Sequence, residues 1–127
     1  MSSDILLHVC CAPDATIPWQ RLIEEGHRVT GFFYGSNIHP YSEFRRRAQD
    51  VETLSRTLGS DRVIGSYEPL RWLEAVREHL LAPEGGERCP LCFRAQLTAA
   101  ANRALSLGIG TLSTTLTISP HKDVALI

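Results

Sequence analysis

Strand-like apolar runs alternate with stretches of helical period along this chain, and no other feature constrains its fold as much. Ile5-Leu6-Leu7-His8-Val9 is a short apolar run followed by the turn residues Ala12-Pro13-Asp14, the pattern of a buried strand. A helix is predicted over 16–25, with Ile17, Leu22 and Ile23 as its apolar positions and Gly26 as its stop. RVTGFFY, at 28–34, reads as a second strand, broken by Gly35-Ser36-Asn37. From Tyr41 a long helix is predicted: Phe44, Ala48, Val51, Leu54 and Leu58 recur at spacings of four, three, three and four, and Gly59 closes it. Residues 62–64 give a third, short strand. A further helix over 69–80 carries Leu70, Leu73, Val76 and Leu80 on one stripe. Residues 82–87 form a Gly-containing loop, 90–107 are helical in composition, and 111–118 are β-prone. Ser119-Pro120 then reads as an N-cap followed by proline in the first turn of a new helix.

The order βαβαβααβ predicts an α/β fold, a parallel sheet with helices on both faces, built as a single domain over 1–127. Such sheets bind ligands beyond the carboxyl ends of their strands. The predicted rim carries Cys10-Cys11 after the first strand, Asn37-Ile38-His39 after the second and Ser119-Pro120-His121 after the fourth.

Composition bears on what that rim can meet. The formal net charge is −1, which gives no global signature of nucleic-acid binding. Of the 13 cationic residues, however, only Lys122 is lysine. Arginine forks onto phosphate and stacks on bases, although Arg45-Arg46-Arg47 reads first as a solvated helix face. No apolar run approaches the ~20 residues of a membrane span. The start, MSSDILLHVCC, has Asp4 where a signal peptide carries Lys or Arg, so a cytoplasmic location is expected.

The four cysteines fall as Cys10-Cys11 and Cys89-x-x-Cys92. In a cytosolic chain such pairs point to metal or redox chemistry more than to structural disulfides. At the start of a helix, the C-x-x-C pair can be a dithiol, half of a zinc site or two cluster ligands. Adjacent cysteines on a turn do not easily aim at one metal ion, but they can serve two neighbouring metals, which favours iron over a single tetrahedral zinc. Asp14 suits an oxygen ligand or the N-cap of the helix that follows. His39 is the better placed functional histidine; His79 lies mid-helix, and His8, inside a strand, reads as a satisfied core histidine with no role. Tyr34 and Tyr41 can stack on a base, core packing being the commoner use of tyrosine. Thr114, Thr115 and Ser119 can donate to phosphate or simply pack and cap. The first loop has no glycine, so the phosphate cradle of ATP-pyrophosphatase domains is missing.

Taken together, LLHVCCAPD, FFYGSNIHPYSEFRRR, RCPLCFRAQL and TTLTISPHKD resemble the signature segments of the QueH-type epoxyqueuosine reductases, over residues 6–123. The resemblance implies an adenine-nucleotide-hydrolase-like α/β fold and an enzyme that reduces epoxyqueuosine to queuosine at the tRNA wobble position. It also implies a 4Fe-4S cluster with an additional mononuclear metal, iron, and an external electron donor. By motif, Cys10, Cys11, Cys89 and Cys92 become metal ligands and Asp14 an oxygen ligand. Asn37, Glu43 and Arg46 belong to the substrate side with His39 and Tyr41, while Arg88 and Arg94 suit tRNA phosphate. Asp14, His39 and Tyr41 are the candidate proton donors. Family members usually continue for several dozen residues more, so the chain is expected to lack a C-terminal part. A zinc-stabilised binding module and a dithiol oxidoreductase are the alternatives that the cysteines leave open.

Overall fold

A computed structural model describes residues 4–77 and 88–115, the side chains at 76 and 88–91 excepted. Its elements run β1 (Asp4–Val9), α1 (Ala12–Glu24), β2 (Arg28–Phe33), α2 (Tyr41–Leu58), β3 (Asp61–Ile64), α3 (Pro69–Val76), α4 (Arg88–Leu107) and β4 (Thr111–Thr114). The four strands form one sheet in the order β3-β2-β1-β4, and every pairing is parallel. This is the α/β architecture that the alternation predicts.

Side-chain alternation splits the core into two layers. Leu7, Val9, Val29 and Phe33 face α1 and α2, where Ala15, Trp19, Phe44, Ala48 and Val51 meet them. Leu6 and Phe32 point the other way, onto Ala100 and Ala104 of α4. Both faces of the sheet are therefore covered, and β1 is buried from Ile5 to Val9. One glycine sets the first layer's thickness. A Cβ on Gly31 would lie 2.3 Å from the Trp19 ring, so glycine is what leaves room for the buried indole against β2. The Trp19 Nε1–H finds its partner in the Ser60 hydroxyl at 2.9 Å, which satisfies the one polar atom of that ring.

Four local expectations are corrected. Helix α1 starts at Ala12 rather than at 16, because Pro13 stands in its first turn, where the missing N–H costs nothing. Its N-cap is Cys11, so Asp14 is not the cap; its carboxylate lies in the first turn, favourably placed on the helix dipole. Within that helix, Ile17 is exposed and Ala15 and Trp19 carry the buried face. On α3, Leu70 is 78% exposed and Trp72 is buried, so Leu70 does not belong to the packing face. Gly59 closes α2 with φ 66°, as the sequence predicts. Predicted features at Leu80, His79, 82–87, the extension of β4 to 118 and Ser119-Pro120-His121 lie outside the described residues.

Candidate functional site

Because the strands are parallel, Cys10, the segment after Phe33, the segment after Ile64 and Thr115 all emerge on one rim. The second and third of these are laced together. Gly65 N–H donates to the Phe33 carbonyl at 2.8 Å, Ser36 Oγ donates to the Ser66 carbonyl at 3.2 Å, and Glu68 N–H donates back to Ser36 Oγ at 2.9 Å. Tyr67 donates its hydroxyl proton to the Ile38 carbonyl. That proton being committed, the 3.3 Å contact between Tyr67 and His39 requires Nδ1–H of His39 to donate to the phenol oxygen. His39 thus presents an unprotonated Nε2 in its neutral form. Its ring lies 5.3 Å from Trp72 and 6.5 Å from Tyr67, and Tyr41, 56% exposed, lies 5.3 Å from Tyr67. The His39–Pro40 peptide is cis.

The first rim loop meets α4 directly. Cys10 packs against Phe93, the neighbour of Cys92 in the chain, together with Leu97, and Cys10 N–H donates to Thr115 Oγ1 at 3.0 Å. Cys92 Sγ accepts two N–H groups, from Trp72 Nε1 and from Gln96 Nε2, each at 3.3 Å. Gln96 is in turn held by His8, whose Nε2 lies 3.0 Å from Oε1, and His8 Nδ1 lies 2.9 Å from the Thr114 hydroxyl. Burial pushes the His8 imidazole down to about 4, the Gln96 contact pulling the other way, so it is neutral near pH 7. Tyr34, half-buried nearby, has its phenol pushed up, first by burial and then by charge on Cys92.

At the start of α1, burial raises the Cys11 thiol, with the Asp14 carboxylate adding to the rise; the Asp14 N–H and Arg47 oppose it. Arg47 Nε also donates to Glu43 at 2.8 Å, and Arg46 reaches the same carboxylate oxygen at 2.6 Å. These donors hold the Glu43 carboxyl below its usual range. Glu43 therefore pairs with both Arg46 and Arg47 on α2, and within the Arg45-Arg46-Arg47 cluster it is the charge of Arg47 that acts on Cys11. Arg94 lines a cleft of about 580 Å³ with Tyr34, Ser66, Arg71, Asn102 and Arg103. Asn37 is half-buried in the turn closed by the Ile38 N–H to Gly35 carbonyl bond. The side chains of Arg88 and Cys89 lie outside the described residues.

The structure thus brings together Cys10, Cys92, His39 and Tyr41 through Phe93, Trp72 and Tyr67, and separately Cys11 with Asp14. Cys10, Cys11 and Cys92 are in no disulfide. Among the described residues no group of three or more His, Cys, Asp or Glu side chains is close enough to hold a metal ion. The donor chemistry nevertheless fits an iron–sulfur group. The Cys92 sulfur accepts two N–H bonds, the kind of hydrogen bonding that cluster-ligating sulfurs receive, and Cys89 stands one helical turn before it on α4.

A family model described as epoxyqueuosine reductase QueH matches residues 5–127. The chain belongs to the epoxyqueuosine reductase QueH family. It is 39% identical to the QueH of Helicobacter pylori over 94% of this chain and 33% of that protein. The QueH of Streptococcus pyogenes is 38% identical, over 94% of this chain and 49% of that protein. For the QueH of Thermotoga maritima the figures are 35%, 97% and 64%. The chain thus spans less than two thirds of each of these QueH relatives. Among the described residues no helix is long and apolar enough to cross a membrane.

Trp72, Gln96 and Tyr67 are the site residues that sequence reasoning missed. Gln96 carried a usable signal: it lies four residues after Cys92, on the face of α4 that is otherwise Phe93, Ala100 and Ala104. A polar side chain that interrupts a buried helical stripe needs a partner.

Proposed function

We propose that this chain carries the reductive centre of an epoxyqueuosine reductase acting on tRNA. In the reaction the epoxide loses its oxygen as water, leaving a carbon–carbon double bond, with two electrons and two protons supplied. The observation that carries this reading is the packing of Cys10, at the strand-end rim, against Phe93 beside the doubly hydrogen-bonded Cys92, in a chain of the QueH family. Cys10, Cys11, Cys89 and Cys92, with Asp14, would hold a 4Fe-4S cluster and an adjacent mononuclear iron. When bound, that pair supplies single electrons from an external donor and a Lewis acid for the epoxide oxygen.

The remaining chemistry belongs to the chain. His39, with Nδ1–H committed to Tyr67, takes up a proton on Nε2 and delivers it to the departing oxygen; Asp14 and Tyr41 are the other proton carriers on the rim. Tyr41 and Tyr34 offer ring faces to an unstacked base, and an anticodon loop gives up its base at small cost. Arg94, with Arg71 and Arg103 lining the same cleft and Arg88 earlier on α4, takes phosphate. Asn37, Glu43 and Arg46 lie on the neighbouring loop and helix.

The test is anaerobic reconstitution with iron and sulfide, followed by Mössbauer and EPR spectroscopy, then incubation with epoxyqueuosine-containing tRNA and a low-potential reductant. The expected result is a 4Fe-4S signal and conversion to queuosine. A preparation that takes up only colourless zinc refutes the cluster. A loaded protein that leaves the epoxide intact refutes catalysis by this chain.

A further inference from the structure

We propose that Gln96 and His8 are positioning residues for the Cys92 sulfur, with Gln96 supplying an N–H to that sulfur and His8 fixing which end of the Gln96 amide faces it. With the Gln96 amide oriented as in the structure, the hydrogen-bond roles follow in turn. Gln96 Oε1 can only accept, so His8 Nε2 carries the proton and donates across 3.0 Å. Nδ1 of His8 is then an acceptor for the Thr114 hydroxyl at 2.9 Å. With its oxygen end occupied, Gln96 turns its amide nitrogen to Cys92 at 3.3 Å. The row of donors points one way throughout, from Thr114 through His8 and Gln96 to sulfur.

Its placement argues against simple core packing. His8 is fully buried and Gln96 is 4% exposed, on a sheet face and a helix face otherwise made of Leu6, Phe32, Ala100 and Ala104. Two apolar residues would fill this volume without needing hydrogen bonds, and buried polar groups are retained only when satisfied. Here the Gln96 amide nitrogen, at the end of the row, has the Cys92 sulfur as its partner. Among the described residues no buried side-chain nitrogen or oxygen lacks a partner. Without the His8 donor, the amide can rotate and set an oxygen lone pair against sulfur. Trp72 Nε1–H then remains as the second donor to Cys92.

The consequence for a bound group rests on the function proposed above. An N–H dipole aimed at a ligand sulfur stabilises the added electron, so Gln96 raises the reduction potential of whatever cluster Cys92 holds.

Two measurements separate this from a structural role. In the metal-free, ¹⁵N-labelled protein, the His8 ring is expected as the Nε2–H tautomer. The Gln96 side-chain amide is expected to exchange with solvent at least tenfold more slowly than that of exposed Gln20. His8→Leu abolishes that protection and His8→Gln, which restores a donor near Nε2, recovers it. An Nδ1–H tautomer, an unprotected Gln96 amide, or His8→Leu without effect would overturn the assignment. In the reconstituted protein, Gln96→Met is expected to shift the reduction equilibrium about tenfold towards the oxidised form, ~59 mV for one electron. An unchanged potential overturns the tuning role. Should Gln96→Met not fold, Cys92→Ala removes the acceptor instead and must shift the Gln96 amide resonances; unmoved resonances refute the contact. If no cluster forms on the wild-type chain, the proposed function fails and the NMR result alone decides this proposal.

Discussion

Gly35 is the residue on which the His39 loop turns, and replacing it with alanine tests how tightly that loop is specified. Gly35 has φ +73°, where an L-residue pays roughly 1–2 kcal/mol. The added Cβ would also lie 2.3 and 2.5 Å from two carbons of the Phe44 ring and 2.8 Å from Phe33. Both rings are buried and stacked on each other at 5.9 Å, so neither can swing away freely. Overpacking of this kind costs about 1–3 kcal/mol. Gly35→Ala should therefore lower the stability by about 2–5 kcal/mol, read from the midpoint of urea unfolding at unchanged m-value. In a Phe44→Ala background the backbone cost and the Phe33 contact should remain while the two closest contacts are relieved, leaving a coupling of up to about 1–3 kcal/mol in the double-mutant cycle. The damage should also travel. Phe44 lies 4.5 Å from Tyr67, which holds both the Ile38 carbonyl and His39, so the His39 ring resonances should shift. A loss below ~1 kcal/mol, or a loss that the Phe44→Ala background leaves undiminished, refutes the reasoning.

Acidification tests His8. Its folded value of about 4 lies below the 6.5 of an ordinary histidine, so the unfolded chain binds the extra proton first. Stability should fall as pH drops from 6.5 towards 4, by up to roughly 3 kcal/mol from this group, and denaturant titrations of His8→Leu should lack that part of the slope. Trp19→Ala removes a fully buried indole and should cost about 3–5 kcal/mol, with a smaller loss indicating that the layer over Gly31 collapses into the gap. Cys10→Ala or Cys92→Ala should abolish the iron uptake of reconstituted protein, as counted by iron and sulfide analysis; full loading of either variant excludes that cysteine as a ligand. Under the proposed function, Arg94→Ala should weaken tRNA binding and reduce its salt slope by about 1 in filter-binding titrations; an unaltered slope removes Arg94 from the phosphate contacts.

Element types and order were readable because period and punctuation agree locally. The stripe from Phe44 to Val51 is the face that packs, and Gly59 stops α2 where its positive φ is needed. The start of α1 was misplaced because Cys11 is an unusual N-cap, and Pro13 looks like a turn when it is a first-turn residue. On α3 two faces of a short helix compete, and Trp72 takes the buried one only because α4 brings Cys92 to its indole. The cysteine pairs could be picked out as candidates, and Cys10 does meet Phe93 beside Cys92. What surrounds Cys92 was illegible for a physical reason. His8, Gln96 and Thr114 become neighbours only through parallel pairing of β1 with β4 and packing of α4 on that sheet, and no local pattern encodes those distances.

The central position of β1 also sets a schedule for the nascent chain. Its partner on one side, β2, follows after a single helix, whereas β4 pairs with it from the far end, with His8 against Thr114. At ~5–20 residues per second, translation takes roughly 5–20 s to travel between those two residues. Through that interval the hydrogen-bonding edge of β1 has no strand to accept it, and Cys10 N–H waits for Thr115. Among the described strands β4 is therefore the last to reach β1, so the bond that fixes the Cys10 backbone at the rim is made late in the closing of these four strands.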